Sequence, residues 1–410
     1  MNIPDVRMKG FADRSTVEAA IAWIDSVLPE FGLLPTEAVS LFEASARVLA
    51  TDVSSSVDVP GFARSMMDGF ALRAQETYGA TAYNSLPLHI LGTSLPGTPF
   101  PGVVTQGQAV RIMTGAPMPD GADAVLPVEQ TETQEGTLKV MGEVSAGKHV
   151  GGVGEDVRCG SVVLEAGRLL RPQDVGVLSS IGCSAIPVIR RPRVRILITG
   201  NELLAPGTRP RDYQIADANG PMLHSLVSRD GGLPLISGLV PDDQQALLEA
   251  MSEPADIVLV SGGSSVGIDD HAPRLVAEHG TLAIHGIAMR PSSPAGMGQF
   301  DNRLIFLLPG NPVSCLCAYD FFAGRAIRAM GGRSRDWPYR RTRATLSRKL
   351  VSMVGRVDYA RVKLTGQYAE PIAISGASIL TSTTQADGFV IIPADIEGYA
   401  AQTEVDVLLY

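Results

Sequence analysis

The chain has 410 residues, enough for two to four domains. Hydrophobic residues make up 45% of it and the formal net charge is −9, which excludes intrinsic disorder and a dominant basic face for nucleic acid. The four cysteines form neither a CxxC pair nor a small disulfide framework, and the histidines add no zinc-binding spacing. No apolar run approaches the length of a membrane span, and the N-terminus lacks the apolar core of a signal peptide. We therefore expect a cytoplasmic protein without membrane insertion.

The first half of the chain combines helical patterns with a β-rich stretch. Ser15 precedes apolar residues at helical spacing and predicts the N-cap of a first helix, and residues 36–50 predict a second. Short apolar runs separated by Gly, Pro and Asp predict a β-rich module over residues 51–145. Regularly placed glycines then mark turns in residues 146–185, where Pro172 lies in the first turn of a third predicted helix.

Residues 193–330 alternate between two periodicities. The runs RVRILITG, LPLISGLV, DIVLVSGG and RLIFLLPG are short and continuously apolar, as strands buried on both sheet faces are. Each run is followed by a segment with a helical period, so the region predicts a doubly wound, mostly parallel α/β sheet. After residue 335 the helical period is lost and the chain alternates like strands, which predicts a small β-barrel or sandwich.

Three strand ends in the α/β region carry residues suited to an anionic ligand, since open α/β sheets bind ligands at the carboxyl ends of their strands. The segments are ITGNEL (198–203), SGGSSVGIDD (261–270) and LPGNP (308–312). Glycines let backbone N–H groups approach a phosphate, and two separated carboxylates suit a divalent cation that bridges phosphate oxygens. The segment SGGSSVG matches neither a P-loop nor a GxGxxG fingerprint, which disfavours a standard ATPase or NAD enzyme.

These residues also have plain structural interpretations. Asp269 or Asp270 is compatible with a helix N-cap, and Glu202 with an ordinary exposed acid. Glycines after strands are compatible with tight turns alone. Earlier in the chain, Asp68 in SMMDGFA and Thr114 in RIMTGAPMPDG stand in common turn signals. The joint occurrence of three such strand ends favours a binding site.

Six motifs follow one another along the chain: SMMDGFA, RIMTGAPMPDGADAVLPVEQ, GEDV, ITGNEL, SGGSSVGIDD and LPGNPVS. In this order they resemble the MoeA family of molybdopterin molybdenumtransferases, whose module also forms the C-terminal domain of gephyrin. The resemblance runs from about residue 15 to the end and is weaker in the last domain. It implies a central doubly wound α/β domain resembling molybdopterin adenylyltransferases, a β-rich inserted domain, an elongated N-terminal linker domain and a C-terminal small β-barrel. The expected boundaries are 1–50 with 146–185 for the linker domain, 51–145, 186–330 and 331–410.

The resemblance also implies a reaction. Such a protein takes adenylylated molybdopterin and molybdate, cleaves the phosphoanhydride with the help of Mg²⁺, and releases AMP and molybdenum cofactor. It works as a homodimer whose active site combines the α/β domain of one subunit with the second domain of the other, and a molybdopterin adenylyltransferase is a further expected partner. No nucleic acid is involved.

The family's functional residues transfer to this chain by motif. The catalytic residues would be Asp68, Thr114, Glu202 and Asp270, of which Glu202 and Asp270 would also bind the metal. Substrate would be bound by Gly262, Gly263, Ser264, Ser265, Gly267, Arg290, Ser293, Pro309 and Asn311. Either Asp242 or Asp243 matches a further acidic position of the family.

The chain departs from the family pattern in the segment MRPSSP (289–294). Ser292 stands where the family usually has glycine, and Ser293 where it usually has a second lysine. Arg290 is thus the remaining cation, and because it follows a predicted strand we expect it to point into the cleft. Asn201 also replaces a usual acid.

Two alternatives stay open beside molybdenum insertion. One is a non-catalytic scaffold that binds a protein partner, and the other is a paralogue that handles tungstate, an ion nearly isosteric with molybdate. Retention of the four catalytic residues favours an enzyme over a scaffold.

Overall fold

The structure, a computed structural model, describes residues 14–263, 271–373 and 375–410. The chain divides into two compact units. The larger unit comprises the described residues of 1–37, 46–48 and 187–410, and the smaller unit comprises residues 38–45 and 49–186. In the ranges that the structure describes, no helix is long and apolar enough to cross a membrane.

The first 190 residues supply the helix Val17–Phe31 to the larger unit and contain the whole of the smaller unit. Their elements are α1 (Val17–Phe31), β1 (Thr36–Ser40), α2 (Leu41–Ala44), β2 (Val53–Ser54), β3 (Arg64–Ser65), β4 (Gly69–Leu72), β5 (Leu86–Ser94), β6 (Gln108–Ile112), β7 (Ala124–Pro127), β8 (Thr131–Gln134), β9 (Thr137–Val140), β10 (Val150–Gly151), β11 (Val162–Leu164), α3 (Pro172–Ser180) and β12 (Ala185–Ile189). Pro172 opens α3, as predicted.

The smaller unit is built on a six-stranded sheet in the order β7-β4-β6-β5-β9-β8. Strands β5 and β6 are parallel, and the other neighbours are antiparallel. Phe70, Leu72, Leu126 and Leu138 are buried against one face of this sheet and form the core of the unit. The prediction of a β-rich module in this region is confirmed.

Two predictions at the start of the chain are wrong. The N-cap of α1 is Thr16, whose hydroxyl accepts a hydrogen bond from the backbone N–H of Ala19 (3.1 Å). The backbone of Ser15 is engaged instead with Gly286 and Ala288. The expected second helix over residues 36–50 is reduced to the short helix α2 (Leu41–Ala44), because Thr36–Ser40 alternates between exposed and half-buried residues with the period of a strand and forms β1.

The α/β part of the larger unit follows. Its elements are β13 (Arg193–Thr199), β14 (Leu203–Leu204), β15 (Ile215–Ala216), α4 (Asn219–Arg229), β16 (Leu233–Val240), α5 (Gln244–Ser252), β17 (Ile257–Ser261), α6 (Ala272–His279), β18 (Gly280–His285), β19 (Met289–Arg290), β20 (Gly296–Phe300), β21 (Arg303–Leu308), α7 (Pro312–Ala318) and α8 (Gly324–Met330). A π-helical turn, Tyr319–Ala323, joins α7 to α8.

Six of these strands form one sheet in the order β16-β13-β17-β21-β20-β18. The first four strands pair in parallel. Strand β20 is antiparallel to its neighbours β21 and β18. Alternate residues of β13 enter different cores: Ile196 and Ile198 pack with residues of α1, α4 and α8, whereas Leu197 packs with residues of α5 and α6. Helices therefore cover both faces, and the predicted doubly wound, mostly parallel sheet is confirmed.

The C-terminal part of the larger unit is a closed barrel. Its elements are β22 (Arg340–Leu346), β23 (Leu350–Val351), β24 (Val357–Thr365), β25 (Tyr368–Ala373), α9 (Thr381–Thr384), β26 (Gly388–Ile392), β27 (Gly398–Tyr399) and β28 (Glu404–Leu409). The strand order is β24-β25-β22-β28-β26, and β26 pairs back to β24. This closure identifies a barrel and excludes a sandwich. Strand β19 of the α/β part adds to β24 in parallel.

A buried ionic network packs the end of α4 against the α7–α8 segment and the chain that leads into the barrel. The carboxylate of Asp320 accepts from Arg229 (2.9 Å) and from the hydroxyl of Tyr339 (2.8 Å). Asp230 accepts from Arg229 (2.9 Å) and pairs with Arg328 (3.0 Å). Burial raises the pKa of Asp320, and the Arg229 charge opposes that shift. Two cations thus balance two carboxylates inside the fold.

We expect Asp320→Ala to lower the free energy of unfolding by about 3 kcal/mol, because it leaves two largely buried cations, Arg229 and Arg328, with the single carboxylate of Asp230 to balance them. Urea unfolding followed by circular dichroism measures the loss. The control is Asp336→Ala, an exposed carboxylate in the same connecting segment, which should change stability by less than about 0.5 kcal/mol. Equal effects of the two substitutions would contradict a stabilising role for the network.

Candidate functional site

A cavity of about 550 Å³ lies at the carboxyl ends of the parallel strands in the larger unit. The three strand ends singled out from the sequence meet there, each contributing residues to the wall. Of the predicted site residues, Glu202, Gly262, Gly263, Pro309 and Asn311 line it. Ser264, Ser265, Gly267 and Asp270, as well as Asp269, lie outside the described residues.

Among the described residues, three carboxylates line this cavity, and their partners differ. Asp242 accepts hydrogen bonds from the hydroxyl of Thr199 and from the backbone N–H of Asn201 (3.0 Å). Asp217 is buried and accepts from the backbone N–H of Gly220 (2.9 Å). Glu202 is exposed, and its carboxylate has no hydrogen-bond or ion-pair partner in the part of the chain that the structure describes. Glu202 is therefore the carboxylate most open to a ligand.

The two candidate acids at 242 and 243 have different positions. Asp242 lines the cavity. Asp243 is the N-cap of α5, where its side chain accepts from the backbone N–H of Ala246 (2.9 Å). The acid that belongs to the cavity is thus Asp242.

The glycine segment after β17 approaches the end of β13 so closely that no side chain fits. A Cβ added at Gly262 would lie 2.0 Å from the carbonyl oxygen of Thr199, and the φ of Gly262 is +95°. Gly263 also has a positive φ, and its N–H has no acceptor among the described residues. Glycine here both permits close packing and leaves a backbone donor at the cavity wall.

A buried amide links two of the strand ends. Asn219, the first residue of α4, donates from Nδ2 to the carbonyl oxygen of Gly310 (2.7 Å) and to the hydroxyl of Ser261 (2.9 Å). Ser261 in turn lies 3.6 Å from the sulfur of Cys315. Burial raises the pKa of Cys315 to about 12, although the Ser261 hydrogen bond opposes this, so the thiol is neutral and is not a nucleophile.

Among the described residues of the cavity wall, three polar ones were not singled out by the sequence: Asp217, Asn219 and Ser378. Asp217 lies two residues before α4 and Asn219 is its first residue. Asp and Asn are common at helix N-termini, so neither stands out in the sequence. Ser378 belongs to the barrel region, far along the chain from the strand-end motifs, and no local pattern connects it to them.

The expected orientation of Arg290 is corrected by the structure. Its guanidinium binds the fully buried carboxylate of Asp358, which also pairs with Arg356 (3.1 Å) and accepts from the Ser352 hydroxyl (2.8 Å). Neither Arg290 nor Ser293 is among the described residues that line the cavity, whereas Pro294 of the same segment is. The reason is that Met289–Arg290 forms a strand with the barrel, which turns this arginine toward a barrel carboxylate.

The smaller unit brings together the other two predicted catalytic residues. The backbone N–H of Thr114 donates to Oδ1 of Asp68 (2.7 Å), and the Thr114 hydroxyl donates to the same oxygen (2.8 Å). Both residues are exposed. They meet because Asp68 precedes β4 and Thr114 follows β6, and these strands pair antiparallel. The two hydrogen bonds, the backbone one first, lower the pKa of Asp68, so its ionised form is favoured.

Three family models match the chain. Residues 15–182 match the model described as "MoeA N-terminal region (domain I and II)". Residues 195–329 match "Probable molybdopterin binding domain", and residues 343–410 match "MoeA C-terminal region (domain IV)". Together these matches span both units.

Relatives and a solved structure agree with these matches. The protein named molybdopterin molybdenumtransferase of Staphylococcus aureus (strain COL) is 31% identical over 395 residues, 94% of this chain and 94% of the relative. Molybdopterin molybdenumtransferase 2 of Mycobacterium tuberculosis (strain H37Rv) is 34% identical over 384 residues, 90% of this chain and 94% of the relative. The crystal structure of the molybdopterin biosynthesis MoeA protein from Pyrococcus horikoshii OT3 is 31% identical, with a TM-score of 0.79, and covers 97% of this chain and 100% of that chain. The chain therefore belongs to the MoeA family.

Proposed function

We propose that the chain is a molybdopterin molybdenumtransferase, which inserts molybdate into adenylylated molybdopterin and releases AMP in molybdenum cofactor biosynthesis. The observation that carries the proposal is a cavity at the strand ends where an unpartnered carboxylate, Glu202, shares the wall with the glycine segment 261–263. Relatives that carry this activity in their names match over nearly the whole chain. A molybdopterin adenylyltransferase would supply the substrate.

The cavity wall offers neutral donors to an anionic substrate. The N–H of Gly263 has no acceptor within the described ranges. Asn311 occupies the N-cap position of α7 but its side chain makes no capping hydrogen bond, which leaves its amide for a ligand. Backbone N–H groups and amides bind phosphate oxygens without adding charge. We assign these two groups to the phosphates of the substrate.

The chemistry of the wall fits a magnesium ion. Among the described residues that line the cavity there is no lysine or arginine, while three carboxylates are present. A substrate with a phosphoanhydride therefore needs a cation that these side chains do not provide. Mg²⁺ usually takes one or two protein carboxylates and completes its shell with water and phosphate oxygens, and in the described part of the chain no group of three or more metal-ligating side chains occurs.

Glu202 suits such an ion because its carboxylate is exposed and unpartnered where the structure describes it. We propose Asp270 as the second ligand, on the strength of its motif. When bound, the ion would neutralise charge on the phosphoanhydride and on its leaving phosphate. Asp242 would keep the end of β13 in place through Thr199 and Asn201 rather than bind the ion, since both of its oxygens already accept hydrogen bonds.

Asp68 and Thr114 would complete the site from the smaller unit. The ionised Asp68 is held toward Thr114 by two hydrogen bonds to one oxygen, which leaves its other oxygen available to orient a donor group of the substrate or a water. We propose that these two residues serve the cavity of a partner subunit in a homodimer. The separation of the catalytic motifs between the smaller and the larger unit supports this arrangement.

The proposed activity is tested by AMP release. The purified chain is incubated with adenylylated molybdopterin and Mg²⁺, with and without molybdate, and AMP is measured by chromatography. We expect AMP to appear at a rate that depends on molybdate. No AMP release, or a rate indifferent to molybdate, would overturn the proposal, and dependence on tungstate in place of molybdate would identify the other oxyanion as substrate.

Glu202→Gln should lower the rate of AMP release by at least about 10²-fold, because it removes the charge that holds the cation beside the phosphates. The control is Glu249→Gln, an exposed acid on α5 that the cavity does not include. We expect the control to keep the wild-type rate. Wild-type turnover in Glu202→Gln would show that this residue is an ordinary exposed acid.

The homodimer should be visible in solution. Light scattering at micromolar concentration is expected to give the mass of two chains. Asp68→Ala and Glu202→Gln subunits, each inactive alone, should regain part of the activity when mixed, since a mixed dimer holds one intact pair of residues. A single-chain mass, or no recovery on mixing, would contradict a site shared between subunits.

Thr114→Val should raise the pKa of Asp68 part of the way back to its ordinary value of 3.8. The substitution removes the hydroxyl donor but keeps the backbone N–H, which is the larger cause of the lowered pKa. Asp68 would then take up a proton at a higher pH than in the wild type. Carbon-13 NMR of labelled aspartate measures this titration, and an unchanged pKa would show that the hydroxyl does not act on the carboxylate.

A further inference from the structure

Asn219 links two segments of the cavity wall that are far from it in the sequence: Ser261 is 42 residues away and Gly310 is 91 residues away. The residue is only 6% exposed, and its Nδ2 group donates to the carbonyl oxygen of Gly310 (2.7 Å) and to the hydroxyl of Ser261 (2.9 Å). Because a carbonyl oxygen only accepts, the nitrogen of the amide must face Gly310, which fixes the orientation of the side chain. The Nδ2 nitrogen thus donates both to the last residue of β17 and to the segment that follows β21.

The link continues into the helix behind the wall. When Ser261 accepts from Asn219, its own hydrogen is left to donate, and the sulfur of Cys315 on α7 lies 3.6 Å away. The contacts from Gly310 through Asn219 and Ser261 to Cys315 connect three elements, α4, β17 and α7, with the segment that follows β21. A hydroxyl side chain at position 219 carries one donor only and is unable to serve both acceptors.

The two linked segments are packed against each other. A Cβ added at Gly310 would stand 3.7 Å from the Cα of Gly262, which is van der Waals contact. Both positions are glycines, so no side chain of their own sets the distance between them. The oxygen of the Asn219 amide is buried and accepts no hydrogen bond from the described residues. Among the described residues, the Asn219 amide therefore makes its hydrogen bonds through its two N–H groups and not through its oxygen.

We propose that Asn219 is a positioning residue that sets the spacing between segments 261–263 and 309–312, and so the fit of a nucleotide phosphate between them. This inference rests on the proposed function of the same cavity. Asn219 acts through Ser261 and the Gly310 carbonyl and need not touch the substrate. Loss of the amide would let the two segments separate while the core of the sheet stays intact.

The first test measures binding of AMP in the presence of Mg²⁺ by calorimetry. We expect Asn219→Ala to weaken binding by at least about tenfold, because it leaves the Gly310 carbonyl and the Ser261 hydroxyl without their shared donor and so loosens the groups that position the phosphate. Ser225→Ala is the matched control, since it removes an exposed side-chain hydrogen bond from the same helix (to the Pro221 carbonyl, 3.0 Å). The control should bind AMP as the wild type does. Wild-type affinity in Asn219→Ala would overturn the inference.

Ser261→Ala provides a second variant that removes only one of the two links and keeps the other. It should weaken AMP binding less than Asn219→Ala, and the double variant should be no weaker than Asn219→Ala alone, since both changes break the same connection. Additive effects would show that the two residues act independently, which contradicts the inference. Should Asn219→Ala fail to fold, Ser261→Ala alone decides: it should bind AMP more weakly than the Ser225→Ala control, and control-level affinity would overturn the inference.

Hydrogen exchange separates this inference from the proposed function, because it needs no ligand. In Asn219→Ala without AMP, amides of residues 257–263 and 308–312 should exchange faster, while those of residues 108–127 in the smaller unit stay unchanged. Unchanged exchange in the first two ranges would overturn the positioning role. A wild-type chain that does not bind AMP, with the expected exchange pattern, would instead count against the proposed function.

Discussion

Where parallel strands end, their backbone groups lose their partners in the sheet and must find others. In the larger unit polar side chains supply them: Asp242 accepts from the backbone after β13, Asp217 accepts from the first turn of α4, and Asn219 donates to the carbonyl of Gly310. These three hydrogen bonds hold the strand-end segments around the cavity. Its shape therefore depends on polar groups that apolar packing alone does not replace, and the glycine at 262 is required because Thr199 approaches it so closely.

The same arrangement determines the electrostatics of the site. Carboxylates that satisfy backbone donors make the cavity acidic, and Arg290, the cation expected to face it, is paired with the buried Asp358 of the barrel. An anionic substrate would then bind neutral donors such as the N–H of Gly263, and a bound Mg²⁺ would supply the positive charge that the wall lacks. With a bound cation, the chain can accommodate serine at position 293 although the described residues of the cavity wall include no compensating basic residue.

The sheet was predictable because its buried strands are continuously apolar. The strand-end residue Glu202 was predictable for the same reason, since it follows such a strand. The strands of the C-terminal part were predictable from their alternation, which left open whether they form a barrel or a sandwich until the pairing of β26 with β24 was seen. Local patterns failed where partners lie far apart: Arg290 and Asp358 are 68 residues apart, and the acceptors of Asn219 lie 42 and 91 residues away. Near the N-terminus the hydrophobic pattern predicted the wrong element, since the residues of β1 also suit an amphipathic helix.

The position of the bound nucleotide tests this account most directly. A crystal structure of the chain with AMP and Mg²⁺ is predicted to show the phosphate between the segments 261–263 and 309–312, near the N–H of Gly263 and the amide of Asn311, with the ion at Glu202. AMP bound at another place on the chain, or a cavity that stays empty at saturating AMP, would contradict it.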